Sequence, residues 1–364
     1  MKNTFGNSVS VTLFGESHGV AIGAVIDGLP AGIEVNEEFI AHQLDLRRPV
    51  GKISTPRQEA DKFTILSGIF NGKTTGTALC VVIPNENTKS KDYASSYGKA
   101  RPGHADFTAF SKYNGCEDYR GGGHFSGRIT AGLVAVGAVA IETLKNKNIH
   151  IGTHIKKCAG VEDIEFSDYN KDIDTLSNKM FAVLDDKKGE DMISAIEKVS
   201  ANGDSVGGIL ETVVTGLPVG IGEPWFDSVE SMLSHILFSI PAIKGVEFGA
   251  GFECADMFGS EMNDNFTYEN GVVKTITNNN GGINGGITNG MPVLFKCAVK
   301  PTPSISKEQE TVDFIKGENA VLSTKGRHDP CIVHRARVVV DSVTAIVLCD
   351  LLSQKFGTDW LGEK

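Results

Sequence analysis

Apolar residues alternate with polar ones, or run unbroken, over residues 8–13, 77–83, 149–155 and 292–299, and this period-two pattern predicts four strands. Asn71-Gly72 after ILSGIF predicts a hairpin turn. A 3.6-residue pattern takes over near Ser126 and continues through ITAGLVAVGAVAIETLKNK, which predicts a long helix with Ser126 as its cap. Further helices are predicted near 190–200 and 341–356. The segment 162–191, rich in Asp and Lys and poor in Gly, reads as a solvated insertion.

The same pattern carries a weak internal repeat. Residues 17–33, SHGVAIGAVIDGLPAGI, align without gaps on 205–221, SVGGILETVVTGLPVGI, with eight identities in seventeen positions. Each copy reads as a strand ending in a Gly-Leu-Pro turn, followed by a helix opening on a capping residue, Asn36 in the first and Asp227 in the second. A single pair of units is too short for a solenoid. The expectation is therefore one α+β domain over 1–364 with internal pseudo-symmetry.

Composition narrows the function classes. The net charge of −10 argues against broad nucleic-acid binding, which needs a basic face. No stretch approaches the ~18 uninterrupted apolar residues of a membrane helix, and the N-terminus has no apolar leader core, so a cytoplasmic protein without membrane or nucleic-acid partners is expected. Seven widely spaced cysteines with no Cys-x-x-Cys pair disfavour a disulfide framework and a zinc site, and no metal is expected.

Arginine placement changes the picture most. All nine arginines fall in three windows, 47–57, 101–128 and 327–337, while lysine serves as the general surface cation. The guanidinium is a rigid charged fork that grips carboxylate or phosphate bidentately, so clustered arginines point to a small, highly charged anion. Glycine, proline, histidine and aspartate crowd the same windows. GESHG sets His18 in a glycine-flanked turn, RPGHAD places His104 three residues after Arg101, and KGRHDP brings Arg327, His328 and Asp329 together. Two histidines among arginines favour proton transfer over metal binding. The glycine run of RGGGHFSGR, at 120–128, reads as a loop whose backbone N–H groups approach a phosphate at a helix start. NNNGGINGGITNG at 278–290 and KPTPSIS at 300–306 suit a cofactor phosphate and ring.

Taken in order, GESHG, LRRPVGKISTPR, ILSGIFNGKTTGT, RPGHAD, YRGGGHFSGR, GLPVGIGEP, GGINGGITNG, KPTPS and KGRHDP resemble the chorismate synthase family across almost the whole chain. The resemblance implies a β-α-β sandwich, a homotetramer, and conversion of 5-enolpyruvylshikimate 3-phosphate to chorismate and phosphate. It also implies reduced FMN (FMNH2) without net redox change, with NADPH or a separate flavin reductase as the source of reducing equivalents. Carried over residue by residue, His18 would protonate the departing phosphate, His104 would act at the reduced flavin, and Asp329 would assist deprotonation at flavin N5. Arg47 and Lys52 match phosphate or NADPH contacts. Arg48, Ser126 and Arg128 match substrate-side positions. His124, Phe125, Ser126, Ala242, Gly285, Lys300, Pro301, Thr302, Pro303, Ser304 and Arg327 match flavin-contacting positions. Many relatives carry Arg-Ser-Ser or Arg-Ala-Ser where this chain has His124-Phe125-Ser126. An FMN-dependent reductase, or a catalytically silent FMN- or anion-binding protein, is the alternative.

Overall fold

The computed structural model describes residues 2–49, 51–55, 60–86, 97–324 and 329–363. Two antiparallel five-stranded sheets form the outer layers. The first runs Thr4–Phe5, Ser10–Gly15, Ala21–Asp27, Leu79–Pro84, Thr64–Ser67, and the second runs Val161–Glu162, His150–Cys158, Gly208–Thr215, Val293–Val299, Ile243–Phe248. The two strands of the internal repeat are the middle strand of each sheet, and each ends in its Gly-Leu-Pro turn as expected.

Eight α-helices accompany them among the described residues. They are α1 (Glu37–Leu46), α2 (Asp106–Tyr113), α3 (Thr130–Lys145), α4 (Tyr169–Leu176), α5 (Asp186–Ala201), α6 (Val229–Leu237), the single turn α7 (Gly259–Met262) and α8 (Val333–Phe356). The helix α3 lies on Ala21–Asp27, α8 lies on His150–Cys158 and Gly208–Thr215, and the two helices pack on each other. Of the 16 residues of α3, 14 are buried, and of the 24 of α8, 20 are, so neither presents a solvent face and both are interior layers. Close approach is set by small residues. A Cβ on Gly132 would sit 2.9 Å from the Gly23 carbonyl, and one on Gly137 would sit 2.4 Å from Ser342 Cβ. By length and composition Gly127–Lys145 could cross a bilayer, contrary to the sequence reading, but 83% of that window is buried inside the protein as its core helix.

Several element ends differ from expectation. The second repeat helix is capped by Ser228, whose side chain accepts from the Ser231 amide, and not by Asp227. Ser126 caps a 3-10 turn, Gly127–Ile129, that leads into α3. The last helix begins at Val333 rather than 341, because Val338, Val339 and Val340 are buried between the layers and packing overrides the low helix propensity of β-branched residues. The acidic segment is not a solvated insertion. Ile173, Leu176, Ala182 and Val183 are buried in it, and α4 packs on His150–Cys158. The few apolar residues that anchor it are masked in the sequence by the surrounding Asp and Lys.

Asp163, from that segment, helps to bury a charge. His154 is fully buried, with Nδ1 at 2.8 Å from Asp163 Oδ2 and Nε2 at 2.9 Å from Glu211 Oε2. Both nitrogens face carboxylates, so the ring is an imidazolium. Burial works against its charge, but the hydrogen bonds from Asp163 and Glu211 outweigh it and hold the His154 pKa above its ordinary value. A raised histidine contributes stability that is fully present below about 6.5 and is lost as pH rises through the folded-state value. Thermal unfolding midpoints should therefore fall on the alkaline side of neutrality, and His154→Gln should flatten that limb. An unchanged slope in the variant would assign it to another group.

At the opposite end of α8, buried Asp350 accepts from the backbone amides of Asn7 (3.0 Å), Ser8 (2.7 Å) and Val9 (3.0 Å), closing the loop before the second strand.

Candidate active site

Loops from both halves enclose a cleft of ≈ 1710 Å³. Of the seven described arginines, five line it, Arg47, Arg48, Arg101, Arg128 and Arg335, so the windows seen in sequence converge in space. Arg120 instead pairs with Asp118, and Arg337, a buried residue of α8, donates to Asp341 and to the Leu176 and Lys179 carbonyls. Of the other expected site residues, His18, His104, His124, Phe125, Ser126, Ala242, Lys300, Thr302, Pro303, Ser304 and Asp329 line the cleft. Lys52, Pro301 and Gly285 do not, and Gly285 is exposed on its hairpin. Arg327 and His328 lie outside the described residues.

The GESHG turn follows Ser10–Gly15, and its Ser17 fixes the neighbouring histidine. The Ser17 hydroxyl donates to the carbonyls of Gly121 (3.1 Å) and Arg120 (3.2 Å). Its single proton is thereby used, so its oxygen accepts from His18 Nδ1–H at 2.9 Å. Nε2 is then the nitrogen of His18 that gives or takes a working proton. The glycine run serves this ring by making space. Gly121 has φ +59, and a Cβ there would lie 2.1 Å from His18 Cε1. Gly122 does the same for the second histidine, its Cβ position being 3.1 Å from His104 Cε1. Sequence reasoning assigned these glycines to a phosphate; the structure presses them against both histidines.

His104 is oriented by its own loop. Asp106, at the start of α2, accepts from the Arg101 amide (2.9 Å), from its Nε (2.8 Å) and a terminal nitrogen (2.7 Å), and from His104 Nδ1 (2.8 Å). Burial raises the Asp106 pKa, but the hydrogen bonds from Arg101 and His104 outweigh burial and hold it well below the usual carboxylate range. A permanently ionised Asp106 selects the Nδ1–H tautomer of His104 and fixes the ring. Lys300 Nζ donates to the Gly103 carbonyl and ties the Lys300–Ser304 segment to this turn.

On the facing wall Asp329 accepts from the Thr55 amide (2.8 Å) and pairs with Arg335 (2.5 Å), whose Nε donates to the Arg47 carbonyl (2.9 Å). Between Arg47 and Arg128 sits Asp61, one carboxylate oxygen toward each guanidinium. His124 donates from Nδ1 to the Gly15 carbonyl at 2.8 Å, and Phe125 meets the Tyr113 ring edge-on. Ser17 and Asp106 adjoin the two histidines within GESHG and RPGHAD, so their roles could have been read from position. Asp61 carries no sequence signal.

Unmet polar groups concentrate in the same place. Among the described residues eight buried side-chain polar atoms lack a partner, and four of them, Arg48 Nε, Glu117 Oε2, Thr302 Oγ1 and Thr324 Oγ1, belong to cleft residues. Orphaned polar atoms are rare in folded interiors and mark ligand sites. Beside Thr302, Ala242 has φ +78, in the left-handed region, and its carbonyl accepts from the Lys300 amide (2.9 Å). Donors, acceptors and a turned backbone on one side of an arginine-lined cleft fit a planar, polar-edged ring such as flavin.

Comparison with known proteins finds one family. Residues 9–353 match the family model described as chorismate synthase. A chorismate synthase of Lachnoclostridium phytofermentans is 48% identical over 353 residues, covering 96% of this chain and 95% of its own, and one of Dehalococcoides mccartyi is 46% identical over 96% of both. The fold matches a chorismate synthase crystal structure with a TM-score of 0.76 at 30% identity, covering 97% of this chain and 94% of that one.

Proposed function

The chain belongs to the chorismate synthase family and is a phosphate-eliminating lyase of the shikimate pathway, and on that premise we propose how its own groups divide the work. The family requires reduced flavin; here we assign FMN, with NADPH as the candidate reductant. The substrate is 5-enolpyruvylshikimate 3-phosphate, from which a C–O bond to phosphate and a ring C–H bond are broken and a double bond is formed.

Two carboxylates, a phosphate and the flavin phosphate bring roughly six charges into one cleft, too many to desolvate unpaired. Arg47, Arg48 and Arg128, with Ser126, are the anion-binding set on the substrate side, and Arg101, whose guanidinium holds Asp106, lines the same cleft. Thr302, Ser304, Lys300, Ala242 and the His124–Phe125 pair would hold the flavin; by family position alone Gly285, Pro301 and Arg327 are assigned to it, and Lys52 to a phosphate or NADPH contact. Reduced flavin, when bound, would supply electron density to the reacting ring and take it back, with no net oxidation.

His18 delivers the proton from Nε2 to the departing phosphate, with Nδ1–H held by Ser17. His104, fixed by Asp106, would keep the proton balance at the flavin, and Asp329, held by Arg335 and the Thr55 amide, would assist deprotonation at N5. The observation that carries this reading is that one glycine turn, Gly121–Gly122, presses on both histidines inside the arginine-lined cleft.

One contiguous core running from Val9 to Leu361 supports a single domain over 1–364. Exposed Trp225, Phe226, Phe252, Phe258 and Tyr268 support self-association, which we take to be the homotetramer. Seven unpaired cysteines support a reducing, cytoplasmic setting.

Anaerobic turnover with photoreduced FMN should yield chorismate and phosphate in equal amounts, with no reductant consumed per product. Repeating it aerobically with oxidised FMN and NADPH tells intrinsic flavin reduction from dependence on a separate reductase. Stoichiometric consumption of reductant would instead favour an FMN oxidoreductase.

A further inference from the structure

Asp61 lies 6% exposed on the cleft wall, with Oδ2 at 3.2 Å from a terminal nitrogen of Arg47 and Oδ1 on a terminal nitrogen of Arg128. One carboxylate thus bridges two guanidiniums, an arrangement that a phosphate or carboxylate of a ligand would also adopt. Both arginines have acceptors other than Asp61. Arg47 also donates to Thr130 Oγ1 (3.0 Å) and to the carbonyls of Gly127 (2.8 Å) and Arg128 (3.3 Å). Arg128 donates from Nε to Asn85 Oδ1 (3.1 Å) and from a terminal nitrogen to the Pro84 carbonyl (3.2 Å). Main-chain and neutral side-chain acceptors therefore hold both cations in place. What Asp61 adds is negative charge. Its backbone, at φ +46, lies in the left-handed region that non-glycine residues visit uncommonly, so the ion pairs, not local preference, keep the turn as it is.

We propose that Asp61 is an intramolecular anion that occupies the fork between Arg47 and Arg128 and competes with an anionic group of the substrate for Arg128. This rests on the cleft being the site for a phosphorylated dicarboxylate. In the ligand-free protein Asp61 sets one negative charge between the two guanidiniums. A doubly charged phosphate outbids a singly charged carboxylate for the same donors, so substrate displaces Asp61 and the 60–64 turn is released. Asp61 thereby sets a threshold against weakly charged anions, and so contributes to specificity without touching the reacting carbons.

The test uses inorganic phosphate as the probe, by calorimetric titration at fixed ionic strength. Asp61→Asn is expected to bind phosphate about fivefold tighter or more than wild type, and to lower KM for the natural substrate. The gain should vanish in the Asp61→Asn/Arg128→Gln double variant. Unchanged or weaker phosphate binding by Asp61→Asn overturns the proposal and makes Asp61 a fixed support of the arginines. If that variant does not fold, hydrogen exchange on wild type decides. Amides of residues 60–64 should exchange faster with saturating phosphate, and equal or slower exchange overturns the proposal. Failure of wild type to turn over substrate is a separate outcome that would sink the assignment of the cleft, not the competition at the fork.

Discussion

His104→Ala is expected to fold and bind substrate yet lose ~10²-fold or more in turnover, the range of a general acid–base contribution. The reason lies in how completely the ring is specified. Asp106 fixes the Nδ1 proton, Arg101 fixes Asp106 through three contacts, and Gly122 gives the ring its place. So much preorganisation around one imidazole serves no packing purpose, since His104 is only half-buried. Steady-state kinetics should show the loss in kcat with KM little changed. Near wild-type kcat would remove His104 from the mechanism.

Gly121→Ala should cost turnover by a similar factor, for a steric reason. The added methyl would stand 2.1 Å from His18 Cε1 and 2.7 Å from Ser17 Oγ, and at φ +59 the backbone resists relieving the overlap. The atoms in the way belong to side chains, so His18 gives way and the protein still folds. The expected result is a ~10²-fold loss in kcat with a modest drop in thermal midpoint. Gly259→Ala, where a Cβ would meet nothing within 4 Å, is the control. An unaffected Gly121→Ala would mean that His18 does not need its observed position.

Much of this was legible in the chain. Alternation located the strands that flank the middle strand of each sheet, and the Gly-Leu-Pro repeat located the two middle strands and their ends. The histidines could be read because glycine and proline around them signal turns, and turns are where side chains reach a cleft. What stayed hidden depends on distant partners. The first turns of Val333–Phe356 fall outside the predicted helix, because it is burial that holds Val338, Val339 and Val340 in helical form. Asp163 looked like surface charge until His154 and Glu211 were placed beside it. Asp61, in an unremarkable QEADK stretch, acquires meaning only from arginines 14 residues before it and 67 residues after it. The glycine run was readable as a tight turn but not as the seat of two rings.

The contact from Asp350 to the amides of residues 7–9 spans up to 343 positions. During synthesis those amides emerge first and their acceptor emerges last. At roughly 5–20 residues per second the interval is on the order of 20–70 s, during which the edge of the first sheet waits on the ribosome without its closing carboxylate. The first sheet cannot close its edge ahead of the rest, and a chain stopped short of α8 would leave the second sheet without the helix that lies on it.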